Sequence, residues 1–225
     1  MQRSVRCPIA FATLPAETVS DLVSLMSLRT YRKGSHLFYQ GEDPHAVWFL
    51  ETGRAKWFKI SEDGQEQILQ LVKPGEPVGL VALLDRKPYV AAAMALEDTT
   101  AWALSIHDFD RMVMRHPELA LLVMRHLGEG VRWLLEHIHC MQNRSAHERV
   151  VSVLMRKAQP RENGLRVIPL THQEIAQLSG MARETASRVL ADLQRRGAVR
   201  LTRSQVILLD ASRFWNGPPE QAQLG

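Results

Sequence analysis

Residues 170–199 read LTHQEIAQLSGMARETASRVLADLQRRGAV, and their spacing decides the fold of the last third of the chain. Thr171 stands three residues before Glu174. This is the spacing of a capping box, in which each side chain satisfies an unpaired backbone donor of the other. Leu170 before the cap and Ile175 after it are placed for a hydrophobic staple. Ile175, Ala176 and Leu178 give a first helix its inner face, and Gly180 ends it as a residue free to turn left-handed. A second helix begins near Ala182. Its Ala186, Val189, Leu190 and Leu193 recur at threes and fours and face inward. Arg183, Glu184, Ser187 and Arg188 fall on the opposite side, at the N-terminal end where backbone donors favour phosphate. Ala186 is small where a bulkier side chain would hold two helices apart.

That polar face has the chemistry of base reading. Arginine grips guanine O6 and N7 with two hydrogen bonds, and glutamate accepts from cytosine N4. A merely electrostatic patch has no use for the carboxylate. Gln194, Arg195, Arg196 and Gly197 end the second helix. AVRLTR (198–203) and SQVILLD (204–210) then read as two strands around a turn at Arg203–Ser204. Helix, turn, helix and hairpin make a winged helix. Arg195, Arg196, Arg200 and Arg203 are within reach of backbone phosphates beside a groove, as are Thr171 and His172. Upstream, SAHERVVSVLMRKAQ (145–159) is a further helix with Val150, Val153 and Leu154 on one face. PRENG is a turn and LRVIPL a short strand.

Charge follows the same division. The chain has 225 residues and a formal charge of +4. From Ser145 onward there are 12 Lys/Arg against 7 Asp/Glu, whereas the first 144 residues hold 16 against 17. The basic excess lies in the last third and favours an anionic partner there. No apolar run approaches the length of a membrane span, and MQRSVRCPIAFATLP at the start lacks a secretory core, so a cytoplasmic protein with no membrane partner is expected.

The first half has a different texture. Leu14 to Leu28 reads as a short helix with Val19, Leu22, Val23, Leu25 and Met26 on its apolar face. Residues 29–109 alternate short β-prone runs with glycine turns at Gly53, Gly64, Gly75 and Gly79. VWFL, RAKWFKI, EQILQLV, YVAAAMAL and TTAWALS are the candidate strands. Many short strands with glycine turns imply an antiparallel roll, barrel or sandwich, either a cradle for a small ligand or a closed core.

From Ile106 the strand signals stop. Pro117 opens a stretch in which Leu119, Leu122, Val123, Leu127, Val131, Leu134, Leu135, Ile138 and Met141 recur at threes and fours for about seven turns. A helix of that length with one apolar face needs a partner, and its twin in a second subunit is the simplest one. Gly128 and Gly130 interrupt it, as weak points or as sites of close crossing.

Metal and redox chemistry find little support. Cys7 and Cys140 are far apart and neither belongs to a CxxC pair, which argues against a zinc ribbon or disulfide scaffold. His126, His137, His139 and Cys140 lie along the long helix, with His137 and Cys140 sharing a face. The spacing is untidy for a soft-metal site, and solvated or interfacial histidines are the expectation. A β-roll enzyme of the cupin kind needs clustered histidines on adjacent strands, and the strand region offers only His36, His45 and, at its far end, His107. No enzymatic activity is expected. No cofactor is expected either, with haem or a redox-active thiol at Cys7 or Cys140 as the alternative.

The sequence resembles the superfamily of the cyclic-AMP receptor protein and the fumarate–nitrate reduction regulator, the Crp/Fnr superfamily, over roughly residues 14–215. The resemblance rests on residues 170–199 and, more weakly, on GEDPHAVWFLETGRAKWFK (41–59) and KPGEPVGLVALLD (73–85). It implies an α+β chain in three parts. An N-terminal antiparallel β-roll of the cyclic-nucleotide-binding, jelly-roll type spans 1–109, a long dimerisation helix 110–144, and a winged helix-turn-helix 145–225. Leu127, Val131, Leu134, Leu135 and Ile138 are the dimer-helix candidates. The implied function is a homodimeric transcription regulator on double-stranded DNA, with RNA polymerase as a further partner.

Matching residue by residue, Arg183, Glu184 and Arg188 correspond to the base-reading arginine, glutamate and arginine of the cyclic-AMP-responsive branch. Ser187 corresponds to a base-contacting serine of the fumarate–nitrate branch. His172 and Gln173 match phosphate-contacting positions. The mixture implies a palindrome with TGTGA-like or TTGA-like half-sites. The sensor departs from the pattern. Where the family's nucleotide cassette has a ribose-binding glutamate after Gly79, this chain has Leu80. Where it has an Arg–Ser pair for the cyclic phosphate, it has Tyr89 and Val90, with Arg86 on the preceding turn as the nearest substitute. The N-terminal cysteine cluster of an iron–sulfur sensor is also missing. A degenerate effector pocket formed by Gly79, Leu80, Arg86, Tyr89 and Val90, not controlled by cyclic AMP, is the expectation.

Overall fold

The computed structural model describes residue 11 and residues 13–61, 64–143, 145–161, 165–202 and 204–214, without the side chains of Trp133 and of residues 136–143. The chain divides into two compact units, Met1–Val131 and Arg132–Gly225.

The N-terminal unit begins with α1 (Ala16–Leu25), followed by β1 (Ser27–Tyr31). The helix expected to run to Leu28 therefore stops three residues earlier. Met26 is extended, and Leu28 to Tyr31 pair with residues 99–102 of a later strand. Cross-strand pairing outweighs helical spacing there. β2 (His36–Phe38), β3 (Ala46–Thr52), β4 (Ala55–Ile60), β5 (Glu66–Val72) and β6 (Pro77–Val78) follow. Next come α2 (Leu80–Asp85), β7 (Ala92–Ala95) and β8 (Thr99–Ser105). They form two antiparallel four-stranded sheets, ordered β1-β8-β3-β6 and β2-β7-β4-β5. Tyr89 and Val90, read from sequence as the start of a strand, lie just before β7.

Alternation along β3 sorts the core. Ala46, Trp48 and Leu50 pack inside the roll with Phe38, Tyr89, Ala101 and Ala103. Val47 and Phe49 face the other way and pack with Leu22, Leu80, Leu83, Leu104 and Phe109. Gly53, in the β3–β4 turn, has φ of +84°, and a Cβ there would lie 2.5 Å from Thr99 Oγ1 and 2.7 Å from the Asp98 carbonyl. Only glycine fits that approach.

α3 (Ile106–Arg115) is capped by Ser105, whose Oγ accepts from the Asp108 amide. The division expected at 109/110 falls inside α3, whose Phe109 and Met112 are buried in the cluster outside the roll. His116 breaks the helix, and α4 (Glu118–Asn143) starts directly after Pro117. The break is tied to α1. Thr18 Oγ1 donates to Glu118 Oε1 at 2.5 Å and lies 3.1 Å from His116 Nδ1, while His116 Nε2 lies 3.0 Å from Asp21 Oδ2.

The C-terminal unit carries α5 (Ala146–Lys157), β9 (Gln159–Pro160), β10 (Arg166–Ile168), α6 (His172–Leu178), α7 (Arg183–Arg195), β11 (Val199–Leu201) and β12 (Val206–Leu208). A 3-10 turn over Ala211–Phe214 closes it. Its antiparallel sheet has the order β11-β12-β10-β9. Val150, Leu154, Ile168, Ile175, Ala186, Leu190, Leu193 and Val206 are completely buried, so the three helices and the sheet share one core. This is the winged helix-turn-helix expected from the spacing.

Candidate nucleic-acid interface

α6 is fixed at both ends by its own sequence. At the start, Glu174 N donates to Thr171 Oγ1 at 3.2 Å, and Thr171 N donates to Glu174 Oε2 at 2.7 Å. At the end, Gly180 takes φ of +59°; its amide donates to the Gln177 carbonyl at 3.3 Å and that of Met181 to the Ala176 carbonyl at 3.1 Å. This pair of bonds is a Schellman motif. It turns the chain sharply enough for α7 to start three residues later. α7 ends the same way: Gly197 N reaches Gln194 O at 2.9 Å and Ala198 N reaches Leu193 O at 3.0 Å.

Ala186, Leu190 and Leu193 hold α7 down, all with zero exposure. Val189 is half-buried beside them. On the other side Arg183, Glu184 and Arg188 are exposed, and Ser187 is half-buried. The four side chains therefore share the outward face near the N-terminus of α7. No side chain caps that N-terminus. The first amides and the positive end of the helix dipole are thus left for an anion. The Arg188 guanidinium lies 3.5 Å from Thr185 Oγ1.

The flanking residues divide into two sets. Gln173 on α6 and Arg200 on β11 are exposed. Thr171 and His172 are half-buried, and the Thr171 hydroxyl already donates to Glu174 at 2.9 Å. His172 Nε2 is buried without a hydrogen-bond partner. Burial, with Arg183 nearby, holds the His172 imidazole below its ordinary pKa. Arg195 and Arg196, expected to reach phosphates, both pair with Asp192, at 3.0 and 2.7 Å. Arg203 lies outside the described residues. Gln194, read only as part of a helix end, has a role that spacing does not reveal: its Oε1 accepts from the Leu201 amide at 3.0 Å and joins α7 to the hairpin.

In the N-terminal unit the expected effector pocket is not assembled. Tyr89 is buried in the roll, stacked on Phe38 at 4.0 Å, with its hydroxyl donating to the Ala46 carbonyl at 2.7 Å. The same oxygen accepts from the His45 and Ala46 amides at 3.1 and 3.2 Å. Gly79 abuts this ring: a Cβ there would be 3.3 Å from it. Leu80 instead faces the cluster outside the roll. Arg86 adopts a left-handed backbone, φ +58°, and pairs with Asp110 on α3. Val90 is exposed. Three of the five residues thus point away from the roll interior, because α2 turns its apolar face outward and Arg86 finds its carboxylate outside. These residues do not fit a cyclic nucleotide: no cationic side chain of the cassette faces the interior, and a buried phosphate without one is costly.

On α4, Leu121, Met124, Val131, Leu134 and Leu135 are exposed. Leu127, expected on that seam, instead packs against the N-terminal unit's own cluster. Ile138 and Cys140 lack described side chains, and Cys7 lies outside the described residues. Among the described residues no group of three His, Cys, Asp or Glu side chains is placed to hold a metal ion. No described helix is long and apolar enough to cross a membrane.

A winged helix-turn-helix, a β-roll and a long helix with exposed apolar side chains along it define a DNA-binding regulator of dimeric type. The cyclic nucleotide-binding domain family matches residues 28–116, and the Crp-like helix-turn-helix domain family matches residues 148–215. A cyclic AMP receptor protein of Thermus thermophilus is 32% identical over 90% of this chain and 93% of its own. The transcriptional activator protein anr of Pseudomonas aeruginosa is 30% identical over 91% and 88%. The c-di-GMP-responsive global regulator CLP of Xanthomonas campestris has the same fold, with a TM-score of 0.77 over 86% of this chain and 99% of its own at 18% identity. The chain belongs to the Crp/Fnr superfamily of transcription regulators. Of the Thermus and Pseudomonas relatives, anr is a transcriptional activator.

Proposed function

We propose that the protein is a homodimer that reads a palindromic promoter site without cyclic AMP. The observation that carries this reading is the outward face of α7: Arg183, Glu184 and Arg188 are exposed while Ala186, Leu190 and Leu193 are wholly buried behind them. Arg183 and Arg188 grip guanines, Glu184 accepts from a cytosine amino group, and Ser187 completes the face. Half-sites of TGTGA or TTGA type suit this set. Exposed Gln173 and Arg200, with Arg203 of the same hairpin, hold phosphates to either side. α4 joins two copies through Val131, Leu134, Leu135 and Ile138, and the half-sites then sit one or two helical turns apart. RNA polymerase is the partner that turns binding into output.

The test is fluorescence anisotropy of the ligand-free protein with a TGTGA palindrome, a TTGA palindrome and a scrambled duplex at one salt concentration. A preference of more than about a hundredfold for one of the palindromes is expected, since specific readout then exceeds the phosphate contribution common to all three. Equal affinity for the scrambled duplex and for both TGTGA and TTGA palindromes, with and without cyclic AMP, overturns the reading.

A further inference from the structure

We propose that the N-terminal unit holds an apolar organic acid of roughly eight to ten carbons in a cavity outside the roll, between its first sheet and α4. A cavity of about 310 Å3 lies there, on the face of β3 and β8 opposite Trp48 and Ala103. Its walls include Phe49 and Leu104 from the strands, Leu80 from α2, Phe109 from α3, and Leu119 and Val123 from α4. It is separate from the interior where Tyr89 stands.

The cavity's size and polarity choose the occupant. The inner part of the cavity is apolar and its outer part opens to solvent between Thr13, Arg125 and Glu129, so a ligand can enter from water. A water molecule's share of liquid volume is roughly 30 Å3 and a methylene group is of similar size, so this space matches a chain of about ten carbons. The inner walls carry no polar side chain. Polar groups stand only at the mouth: Thr13, Arg125, His126 and Glu129. Arg125, Glu129 and Thr13 are exposed and His126 is half-buried. Arg125 has no ion pair among the described residues. A ligand with an apolar body and one terminal carboxylate matches this arrangement: the body replaces the void, and the carboxylate meets Arg125 and His126 at the surface. Leu119, Leu122 and Val123 lie in the first turns of α4, so filling the cavity alters how that helix packs on the roll. This link to DNA output rests on the function proposed above; the site itself does not.

The test is calorimetric titration of the full chain with decanoate and, separately, with decanol. Wild type is expected to bind one decanoate per chain. Val123→Phe fills the cavity from within and is expected to weaken decanoate binding by at least about tenfold while keeping the wild-type circular dichroism. Arg125→Ala with His126→Ala removes the two basic side chains of the mouth and leaves Glu129 and Thr13 in place. It is expected to weaken decanoate by about tenfold, the worth of one charge-assisted bond, and to leave decanol unchanged. Absence of decanoate binding by wild type overturns the proposal, as does undiminished binding by folded Val123→Phe. If Val123→Phe does not fold, the mouth variant decides: unchanged decanoate affinity, or equal loss for decanol, overturns it. Operator binding is read in a separate titration, so its failure counts against the DNA reading and not against the cavity.

Discussion

The rings of Phe38 and Tyr89 stack with centroids 4.0 Å apart inside the roll, and the Tyr89 hydroxyl bonds three backbone groups of His45 and Ala46. Tyr89 therefore acts as a cross-brace from the β6–β7 connection to the start of β3. Tyr89→Phe leaves the Ala46 carbonyl and two amides without this partner and is expected to cost about 1–3 kcal/mol, measured by urea denaturation. Wild type heated with about 1 mM cyclic AMP is expected to melt where it melts without it, because a ligand bound only by the native state raises the midpoint. An upward shift contradicts the misfit described for the cassette.

The two kinds of arginine are separable by salt. Arg183→Ala with Arg188→Ala is expected to cost about 1–3 kcal/mol per contact on the palindrome and much less on a scrambled duplex. Arg200→Ala is expected to weaken both duplexes alike and to lower the slope of log affinity against log salt by about 1. A palindrome-specific loss for Arg200→Ala reverses the assignment.

The exposed and packed leucines of α4 predict opposite phenotypes. Val131→Glu with Leu135→Glu places charge on a face that is 57% and 64% exposed in the single chain. The expected outcome is a folded monomer in sedimentation equilibrium, with operator affinity lost. Leu127→Ala removes packing within one unit instead, and is expected to cost about 2 kcal/mol of stability while the dimer persists.

The C-terminal unit is expected to lose stability as pH falls through about 6.5. Burial holds both His147 and His172 below the ordinary imidazole value of 6.5, aided by Arg196 and Arg183 respectively. The unfolded chain then binds more protons than the folded one as pH drops past 6.5, so stability is full above that value and declines toward the lower folded pKa values. His147→Gln with His172→Gln should flatten the slope between about pH 7.5 and 5.5. Stability that rises on acidification gives the opposite sign and contradicts this account.

The C-terminal half was the more legible part of the sequence, for a physical reason. Its signals are local: Thr171 and Glu174 cap each other within one turn, and the amides of the glycines that end α6 and α7 reach carbonyls three residues back. Leu28 carries no comparable signal, because its strand partner Trp102 is distant in sequence. The helical spacing of residues 14–28 was real, but pairing with β8 claimed the last of it. Leu80 and Arg86 carry no local signal for where they point either. Which side α2 turns toward depends on Asp110 and the outer cluster, neither of which is adjacent. Leu127 fits a helical stripe as well as Leu121 or Met124 does, and only packing against the N-terminal core shows that it belongs to the inner face. The engagement of Arg195 and Arg196 by Asp192 is a matter of rotamers, to which composition is blind.

The two glycine turns that bracket α7 have a consequence for operator choice. Gly180 and Gly197 fix where the helix starts and stops, and Ala186, Leu190 and Leu193 fix its seat. Arg183, Glu184 and Arg188 are exposed and take no part in that buried seat. On the function proposed above, exchanging these exposed side chains is expected to change the preferred operator while leaving the fold of the unit intact.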